Sequence, residues 1–231
     1  MAADVNVAPE SDSRSRETAN QRCPHVVFRG VLGARNVTAL LDYVAARERD
    51  FMPAKVRDRG VSGAKLDYGR RECLLLGHLG ELKAPIETFV RQVAPYAVAQ
   101  LGLIEPNVEP REFEISAHGD GGHFEPHLDT VDRLNRVRVL SCVYYFATTP
   151  RRFTGGELRL YGFPNPSGGA DAPLPFLDIV PETDTLVAFP SWLRHEVRPT
   201  RVPSGAWADY RFAINCWIHR VKPSDVTASP G

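Results

Sequence analysis

EISAHGDGGHFEPHLDT, residues 114–130, contains three of the seven histidines in the chain. Each of the three is followed two residues later by an acid, in the pairs His118 and Asp120, His123 and Glu125, and His127 and Asp129. With 7 histidines and 28 acidic residues in 231, chance predicts fewer than one such pair in the whole sequence. Three pairs in one short segment therefore indicate a metal site.

His127 and Asp129 have the spacing that suits a strand. Residues i and i+2 of an extended strand project from the same face, so both side chains can meet one ion inside a barrel. His195, which follows the apolar segment 186–189, is the candidate for a third ligand from a distant strand. Two histidines and one carboxylate form the facial set that leaves positions open on non-haem Fe(II).

Other interpretations of the same residues fit the sequence less well. His123 and His127 are four residues apart, as zinc-protease ligands are on a helix, but Pro126 precludes a helix interior and the glutamate is misplaced. His118 and Asp120 sit on a glycine turn, so their side chains should diverge. Taken alone, each pair is also compatible with solvated polar residues on a turn-rich hairpin.

The segment 210–219 carries a second signal. Its alternating inward face holds Arg211, Ala213, Asn215 and Trp217. An arginine at the head of an apolar strand needs an anionic partner, because a buried unpaired charge is very costly. A dicarboxylate ligand would supply one, and a salt bridge at the rim of the domain is the plainer alternative.

Hydrophobic periodicity predicts a mainly β fold with flanking helices. Apolar residues at helical spacing indicate helices over 37–51, ended before Pro53, and over 82–101, which Pro95 should kink or divide. Short strands are predicted within 25–32 and 71–76, and a period of two predicts further strands within 113–117, 137–146, 157–161, 176–180, 185–189 and 210–219. Helices followed by many short strands favour a double-stranded β-helix, or jelly roll, with the N-terminal helices packed on one sheet.

The chain is expected to hold one structured domain. Residues 1–22 are polar and predict a disordered N-terminal tail, 23–220 a single jelly-roll domain, and 221–231 a flexible C-terminal tail. Within the domain, the glycine-punctuated segment 54–68 and the arginine-rich segment 148–154 are candidate substrate-contacting lids.

Composition limits the binding partners and the cellular compartment that we expect for this protein. The 28 basic and 28 acidic residues balance, so no overall field attracts nucleic acid or an anionic membrane. The four cysteines form no Cys-x-x-Cys pair, and the N-terminus lacks the apolar core of a signal peptide. We therefore expect a cytoplasmic protein without a membrane span, and nothing in the sequence indicates an oligomeric state.

Five motifs in order carry a family resemblance: His127-Leu-Asp, Ser141-Cys-Val-Tyr-Tyr, Gly155-Gly-Glu-Leu-Arg-Leu, His195-Glu-Val-Arg-Pro and Arg211-Phe-Ala-Ile-Asn-Cys-Trp. In this order and spacing the chain resembles the Fe(II)- and 2-oxoglutarate-dependent dioxygenases. It looks most like the prolyl 4-hydroxylase branch, including bacterial relatives of the ribosomal-protein prolyl hydroxylases. The resemblance leaves both tails outside.

The resemblance implies a role for six residues. His127, Asp129 and His195 would be the iron ligands of the catalytic centre, and Arg211 would bind the distal carboxylate of 2-oxoglutarate. Tyr145 would reach the same carboxylate, and His118 would border the cofactor pocket. The implied cofactors are Fe(II) and 2-oxoglutarate, with O₂ as co-substrate and ascorbate as a candidate reductant. Arg201, in the long interval between His195 and Arg211, is a rival for the anion contact.

The resemblance also implies an activity. It is hydroxylation coupled to release of succinate and CO₂, with a prolyl residue of a protein or peptide as the leading substrate. The alternatives are a free or carrier-bound amino acid or other small molecule of a biosynthetic pathway, and a non-catalytic jelly-roll binding or sensing module. Trp217 stands where base-demethylating members have a second arginine, which argues against a nucleic-acid substrate.

Overall fold

The computed structural model describes residues 23–56, 63–105, 107–130, 137–164 and 173–221. The described residues include two α-helices, α1 (Gly33–Ala46) and α2 (Lys83–Gln100), and short 3₁₀ turns at Glu48–Asp50, Gly80–Leu82 and Trp207–Asp209. The strands are β1 (Val26–Arg29), β2 (Met52–Pro53), β3 (Arg71–Glu72), β4 (Leu74–Leu76), β5 (Val108–His118), β6 (His123–His127), β7 (Arg138–Phe146), β8 (Thr154–Gly155), β9 (Leu158–Tyr161), β10 (Phe176–Ile179), β11 (Thr185–Pro190), β12 (His195–Val197), β13 (Thr200–Arg201) and β14 (Arg211–Arg220).

Two antiparallel sheets make up most of the architecture. The larger sheet has the order β1-β11-β7-β14-β5-β4-β2, and the smaller has the order β10-β9-β12-β6-β3. A separate ribbon pairs β8 with β13, with Thr200 opposite Gly155 and Arg201 opposite Thr154. The two helices pack on the outer face of the larger sheet, as the sequence predicts.

The alternation of β14 explains the two layers of the core. Phe212, Ile214, Cys216 and Ile218 join the cluster between the larger sheet and the helices. Ala213, on the opposite face, joins Tyr145 and residues of β9 in a smaller cluster between the sheets. Because side chains alternate along a strand, the polar residues on the Ala213 face also point between the sheets, where the functional site lies.

Most of the predicted elements are confirmed, and three differ. Helix α2 runs through Pro95 without interruption, so the predicted division is wrong. The buried neighbours Ala94, Ala97 and Val98 hold that turn against the core despite the missing backbone donor. The strand predicted within 71–76 is two strands, since Arg71–Glu72 pairs with β6 and Leu74–Leu76 pairs with β5. Ribbon β8–β13 was not predicted.

The predicted tails lie outside the described residues over 1–22 and 222–231, and the division into one domain and two tails stays a prediction. In the part of the chain that the structure covers, neither helix has the length and apolarity needed to cross a membrane. The cytoplasmic location likewise stays a prediction.

Helix α1 begins at a cap supplied from a distant turn. Leu32 at its start provides no side-chain cap. Instead, the Asp184 carboxylate accepts hydrogen bonds from the backbone N–H groups of Leu32, at 2.8 Å, and Gly33, at 3.0 Å. The same carboxylate accepts a 2.9 Å hydrogen bond from the hydroxyl of Tyr144, a buried residue of β7. Asp184 therefore fastens the helix to the larger sheet.

We expect Asp184→Ala to lower the free energy of unfolding by about 2–4 kcal/mol, because it removes a helix cap and leaves a buried tyrosine hydroxyl without its charged partner. Urea unfolding followed by circular dichroism measures the change. Glu182→Ala is the control, since its ion pair with Arg29 is exposed and should contribute less than about 1 kcal/mol. Equal stability of the two variants would contradict this account of the helix start.

Candidate metal centre and anion pocket

Both histidines of the predicted metal set are oriented by backbone carbonyls. His127 ends β6, and its Nδ1 lies 2.8 Å from the carbonyl oxygen of Glu125. His195 begins β12, and its Nδ1 lies 2.8 Å from the carbonyl oxygen of Leu193. A carbonyl can only accept, so each Nδ1 carries the proton and each Nε2 keeps its lone pair free. The two rings face each other with centroids 4.2 Å apart.

Asp129 reaches the histidines from a bend rather than from the strand. The expectation that His127 and Asp129 share a strand is wrong, because β6 ends at His127. The Asp129 backbone N–H bonds the carbonyl oxygen of Ser191, at 3.0 Å, instead of continuing the sheet. Its Oδ1 lies 3.7 Å from Nε2 of His127 and its Oδ2 lies 3.7 Å from Nε2 of His195, and one donor atom from each of the three residues falls within 4.8 Å of the others.

The electrostatics of this cluster suit a cation. Burial and the neighbouring His195 lower the pKa of His127 to about 3, so its imidazole is neutral near pH 7. Burial alone would raise the pKa of the Asp129 carboxyl, but the two histidines and the hydrogen bonds from Ser141 and Trp217 outweigh it and hold the pKa below its ordinary value. Two imidazoles and one carboxylate are the donor set that suits non-haem Fe(II).

The cluster opens into a cavity of about 500 Å³ between the two sheets. Several charged side chains line it: Lys55, Arg70, Arg71, Glu112, Glu114 and Arg138. The wall also includes His118 and Arg211, which pair across β5 and β14, six residues along β14 from Trp217, the residue that contacts Asp129. The metal cluster and the predicted anion-binding arginine therefore share one cavity.

Arg211 is fully buried without a carboxylate. Its side chain is 1% exposed, its Nε donates to the carbonyl oxygen of Gly156 at 2.7 Å, and one terminal nitrogen lies 3.4 Å from Nδ1 of His118. Within the described ranges, no aspartate or glutamate forms an ion pair with it. Burial lowers the pKa of the guanidinium, although not enough to discharge it. Such a buried cation calls for an anionic ligand.

Three buried polar groups surround this arginine: His118 Nε2, Tyr145 Oη and Thr200 Oγ1. Among the described residues, these are the buried side-chain N and O atoms that have no hydrogen-bond partner. Arg211 only donates, so Nδ1 of His118 accepts from it and the His118 proton is on Nε2. The guanidinium carbon lies 5.0 Å above the centre of the Tyr145 ring. All three unpartnered groups can donate to an anion, which fits the terminal carboxylate of 2-oxoglutarate.

Gly156 makes room for the arginine. It has a φ of +69°, and a Cβ built on it would lie 2.5 Å from Cδ and 3.0 Å from Nε of Arg211, and 3.0 Å from Oγ1 of Thr200. The arginine cannot retreat easily, because its Nε is bonded to the carbonyl oxygen of Gly156. Both the backbone conformation and the close approach require glycine here.

Gly156→Ala is expected to lower the free energy of unfolding by about 2–4 kcal/mol and to weaken 2-oxoglutarate binding by at least about tenfold, since the methyl group displaces the arginine. Urea unfolding and anaerobic calorimetric titration measure the two effects. Gly205→Ala is the matched control: it also has a positive φ, of +62°, but has no atom within 4 Å of a built Cβ. A Gly156 variant that loses no more than the Gly205 variant would refute the steric argument.

The other histidine and acid pairs have structural partners. His123 lies within hydrogen-bond distance of the carbonyl oxygens of Gly121 and Gly69. Asp120 accepts a 2.9 Å bond from the backbone N–H of Val202, so it diverges from His118 as expected. Arg201, the rival to Arg211, is exposed on β13 and lies outside the cavity wall.

The predicted lids have different positions. Lys55 and Val56 line the cavity, and residues 57–62 of the same segment lie outside the described residues. The segment 148–154 contributes no residue to the cavity wall in the described part of the chain. The sequence did not identify four residues of the site: Ser141, Ser191, Gly156 and Thr200. Of these, only Gly156 has a local signal in the sequence, which is the Gly155-Gly156 pair.

Comparisons with known proteins identify the same site region. Residues 113–219 match the family model of the 2OG-Fe(II) oxygenase superfamily. The chain is 33% identical over 153 residues to an uncharacterised PKHD-type hydroxylase of Synechocystis sp.; the match covers 66% of the chain and 50% of that relative. The chain thus spans about half the length of the curated relative that it matches.

Solved structures share the fold. A prolyl-4-hydroxylase of Pseudomonas putida matches with a TM-score of 0.60 at 22% identity, over 88% of this chain and 96% of that one. A Trichoplax adhaerens prolyl hydroxylase, in complex with a peptide fragment of the hypoxia inducible factor oxygen degradation domain, matches with a TM-score of 0.59 at 17% identity, over 95% and 98%. These likenesses confirm the predicted jelly roll. Residues 113–219 are therefore similar to the 2OG-Fe(II) oxygenase superfamily, and the chain has the fold of the solved prolyl hydroxylases.

Proposed function

We propose that the chain is an Fe(II)- and 2-oxoglutarate-dependent hydroxylase whose substrate is a prolyl residue in a protein or peptide. One observation carries the proposal: a two-histidine, one-carboxylate cluster opens into the same cavity as a buried arginine that has no carboxylate partner among the described residues. A non-catalytic binding module would have no need to keep both.

In this proposal the ligands of the iron are Nε2 of His127, Nε2 of His195 and the carboxylate of Asp129. When bound, the metal supplies oxidation of a C–H bond by O₂, coupled to decarboxylation of 2-oxoglutarate to succinate and CO₂. The chain supplies position and electrostatics. The backbone carbonyls of Glu125 and Leu193 keep both imidazoles in the ligating tautomer.

Arg211 orients the co-substrate. Its planar guanidinium can bind a carboxylate through two parallel hydrogen bonds, and its burial strengthens them because little water competes. The hydroxyl of Tyr145 and the Nε2–H of His118 add donors to the same group. Arg211 would thus fix the distal end of a dicarboxylate and leave the other end free to reach the metal.

The substrate assignment rests on the relatives. The two solved structures described above are named as prolyl hydroxylases, and one of them holds a peptide. The charged cavity lining that includes Arg71, Glu114 and Arg138 offers hydrogen-bonding groups for a polar backbone. A prolyl peptide is therefore the substrate class that we propose to test first.

The test is anaerobic reconstitution with Fe(II) and 2-oxoglutarate, followed by exposure to O₂ in the presence of a panel of proline-containing peptides and free amino acids. We expect succinate to form, and one peptide to gain the mass of one oxygen atom on proline. Absence of succinate under every condition would overturn the hydroxylase proposal. Oxygen transfer to a free amino acid alone would overturn the peptide assignment and leave the enzyme class standing.

A further inference from the structure

The carboxylate of Asp129 is held asymmetrically. Its Oδ2 accepts a 2.5 Å hydrogen bond from the hydroxyl of Ser141 and a 2.8 Å hydrogen bond from the indole N–H of Trp217. In the described part of the chain, Oδ1 accepts no hydrogen bond. A carboxylate oxygen has two lone pairs, so Ser141 and Trp217 together use both lone pairs of Oδ2, while those of Oδ1 are free.

Both donors are themselves fixed. The hydroxyl oxygens of Ser141 and Ser191 are 3.0 Å apart; because Ser141 has one hydroxyl hydrogen and gives it to the carboxylate, Ser191 donates to Ser141. The guanidinium of Arg138 lies 4.2 Å above the centre of the Trp217 ring and holds the indole in place. The same arginine donates to the backbone carbonyl oxygen of Asp129, at 3.4 Å.

The number of ligating carboxylate oxygens decides what else the metal can bind. A six-coordinate ion with two histidines and one carboxylate oxygen has three positions left. A dicarboxylate that chelates through two atoms and one O₂ molecule need all three. If both oxygens of Asp129 were ligands, the ion would have one position too few for this chemistry.

We infer that Ser141 and Trp217 are positioning residues that restrict Asp129 to a single ligating oxygen, Oδ1, and so keep a coordination position open on the metal. The inference rests on the proposed function, since it concerns the metal that this function requires. It gives a role to two residues that line the cavity and are not members of the three-residue metal cluster.

Mn(II) is the probe, because its bound waters can be counted by water-proton relaxation and its affinity measured by calorimetry, without turnover. Wild-type protein is expected to hold Mn(II) with three water ligands. Trp217→Phe keeps the ring beneath Arg138 but loses the N–H, and Ser141→Ala loses the hydroxyl. Each should weaken Mn(II) binding by about 10–100-fold, and the double variant should hold one water fewer as Oδ2 becomes a ligand.

Two controls separate positioning from folding. Ser141→Thr keeps a hydroxyl and should retain wild-type affinity and water number. Trp207→Phe loses an indole N–H bond to the carbonyl oxygen of Val44, away from the metal, and should change neither. Thermal unfolding of the metal-free variants reports any general loss of structure, and Ser141→Ala carries the test if Trp217→Phe does not fold.

An unchanged affinity in the folded Ser141→Ala variant, or three retained water ligands in a folded double variant, would overturn the inference. A wild-type protein that does not bind Mn(II) would overturn the proposed metal site itself, so the two failures are distinguishable.

Discussion

Arg211→Met is expected to raise the dissociation constant for 2-oxoglutarate by about 100-fold or more, measured by anaerobic titration of the Mn(II)-loaded protein. The variant keeps the length and most of the volume of the side chain but removes two charge-assisted hydrogen bonds to the terminal carboxylate. Each such bond contributes about 1.5–3 kcal/mol, and a tenfold change in affinity corresponds to about 1.4 kcal/mol. The Mn(II) affinity should not change, because the arginine is not one of the three residues of the metal cluster.

Two further variants make this expectation specific. Arg211→Lys keeps the charge and loses the planar fork, so its affinity should fall between those of the wild type and the methionine variant. Arg201→Met removes the exposed arginine of β13 and should leave the affinity for 2-oxoglutarate unchanged. If Arg201→Met had the larger effect, the anion contact would have to be reassigned to β13.

The sequence predicted the parts of this site that depend on local periodicity. The alternation of β14 places Arg211 and Trp217 on the inner face. These positions follow because successive side chains of a strand point to opposite faces, so every second residue lies on the same face. The same rule predicted Asp129 in the strand of His127 and was wrong, since the backbone of Asp129, two residues after the strand ends, bonds to Ser191 instead. The placement of His118 on the glycine turn was also wrong, because His118 ends β5 and pairs with Arg211.

The site residues that the sequence did not identify owe their role to contacts between segments that are distant in sequence. Thr200 is fixed by backbone bonds to Gly121 and Gly122 in a turn far away in sequence. Gly156 is needed because its φ is positive and because the side chain of Arg211 lies against it. A threonine in a two-residue strand or a serine in a turn carries no periodic signal, so its contact with the site appears only once the segments are assembled.

The Asp120-Gly121-Gly122 turn also has long-range contacts that the sequence did not predict. From the sequence it is only a turn that separates two strands. In the fold it holds ribbon β8–β13 through Asp120 and both glycines, and the ribbon in turn places Thr200 and Gly156 beside Arg211. One short turn therefore joins the metal strand to the anion pocket.

His127→Ala is expected to lower the affinity for Mn(II) by more than about 100-fold and to reduce succinate formation with Fe(II) to the level of the protein-free control. Loss of a residue that only orients a ligand costs about 10–100-fold, so loss of a ligand itself should cost more. The remaining His195 and Asp129 cannot define a facial set, and the two-donor site left behind should bind divalent ions weakly and without selectivity.

His123→Ala is the matched control, because it makes the same substitution on the same strand, at the other end of β6. Its ring nitrogens face the carbonyl oxygens of Gly121 and Gly69 rather than the cluster, so metal affinity should stay within about threefold of wild type even if the turn loosens by about 1 kcal/mol. The two variants together separate the three histidine and acid pairs of residues 114–130 by function. If His123→Ala abolished metal binding and His127→Ala did not, the pair at His123 and Glu125 would be the metal site, and the cavity between the sheets would need another explanation.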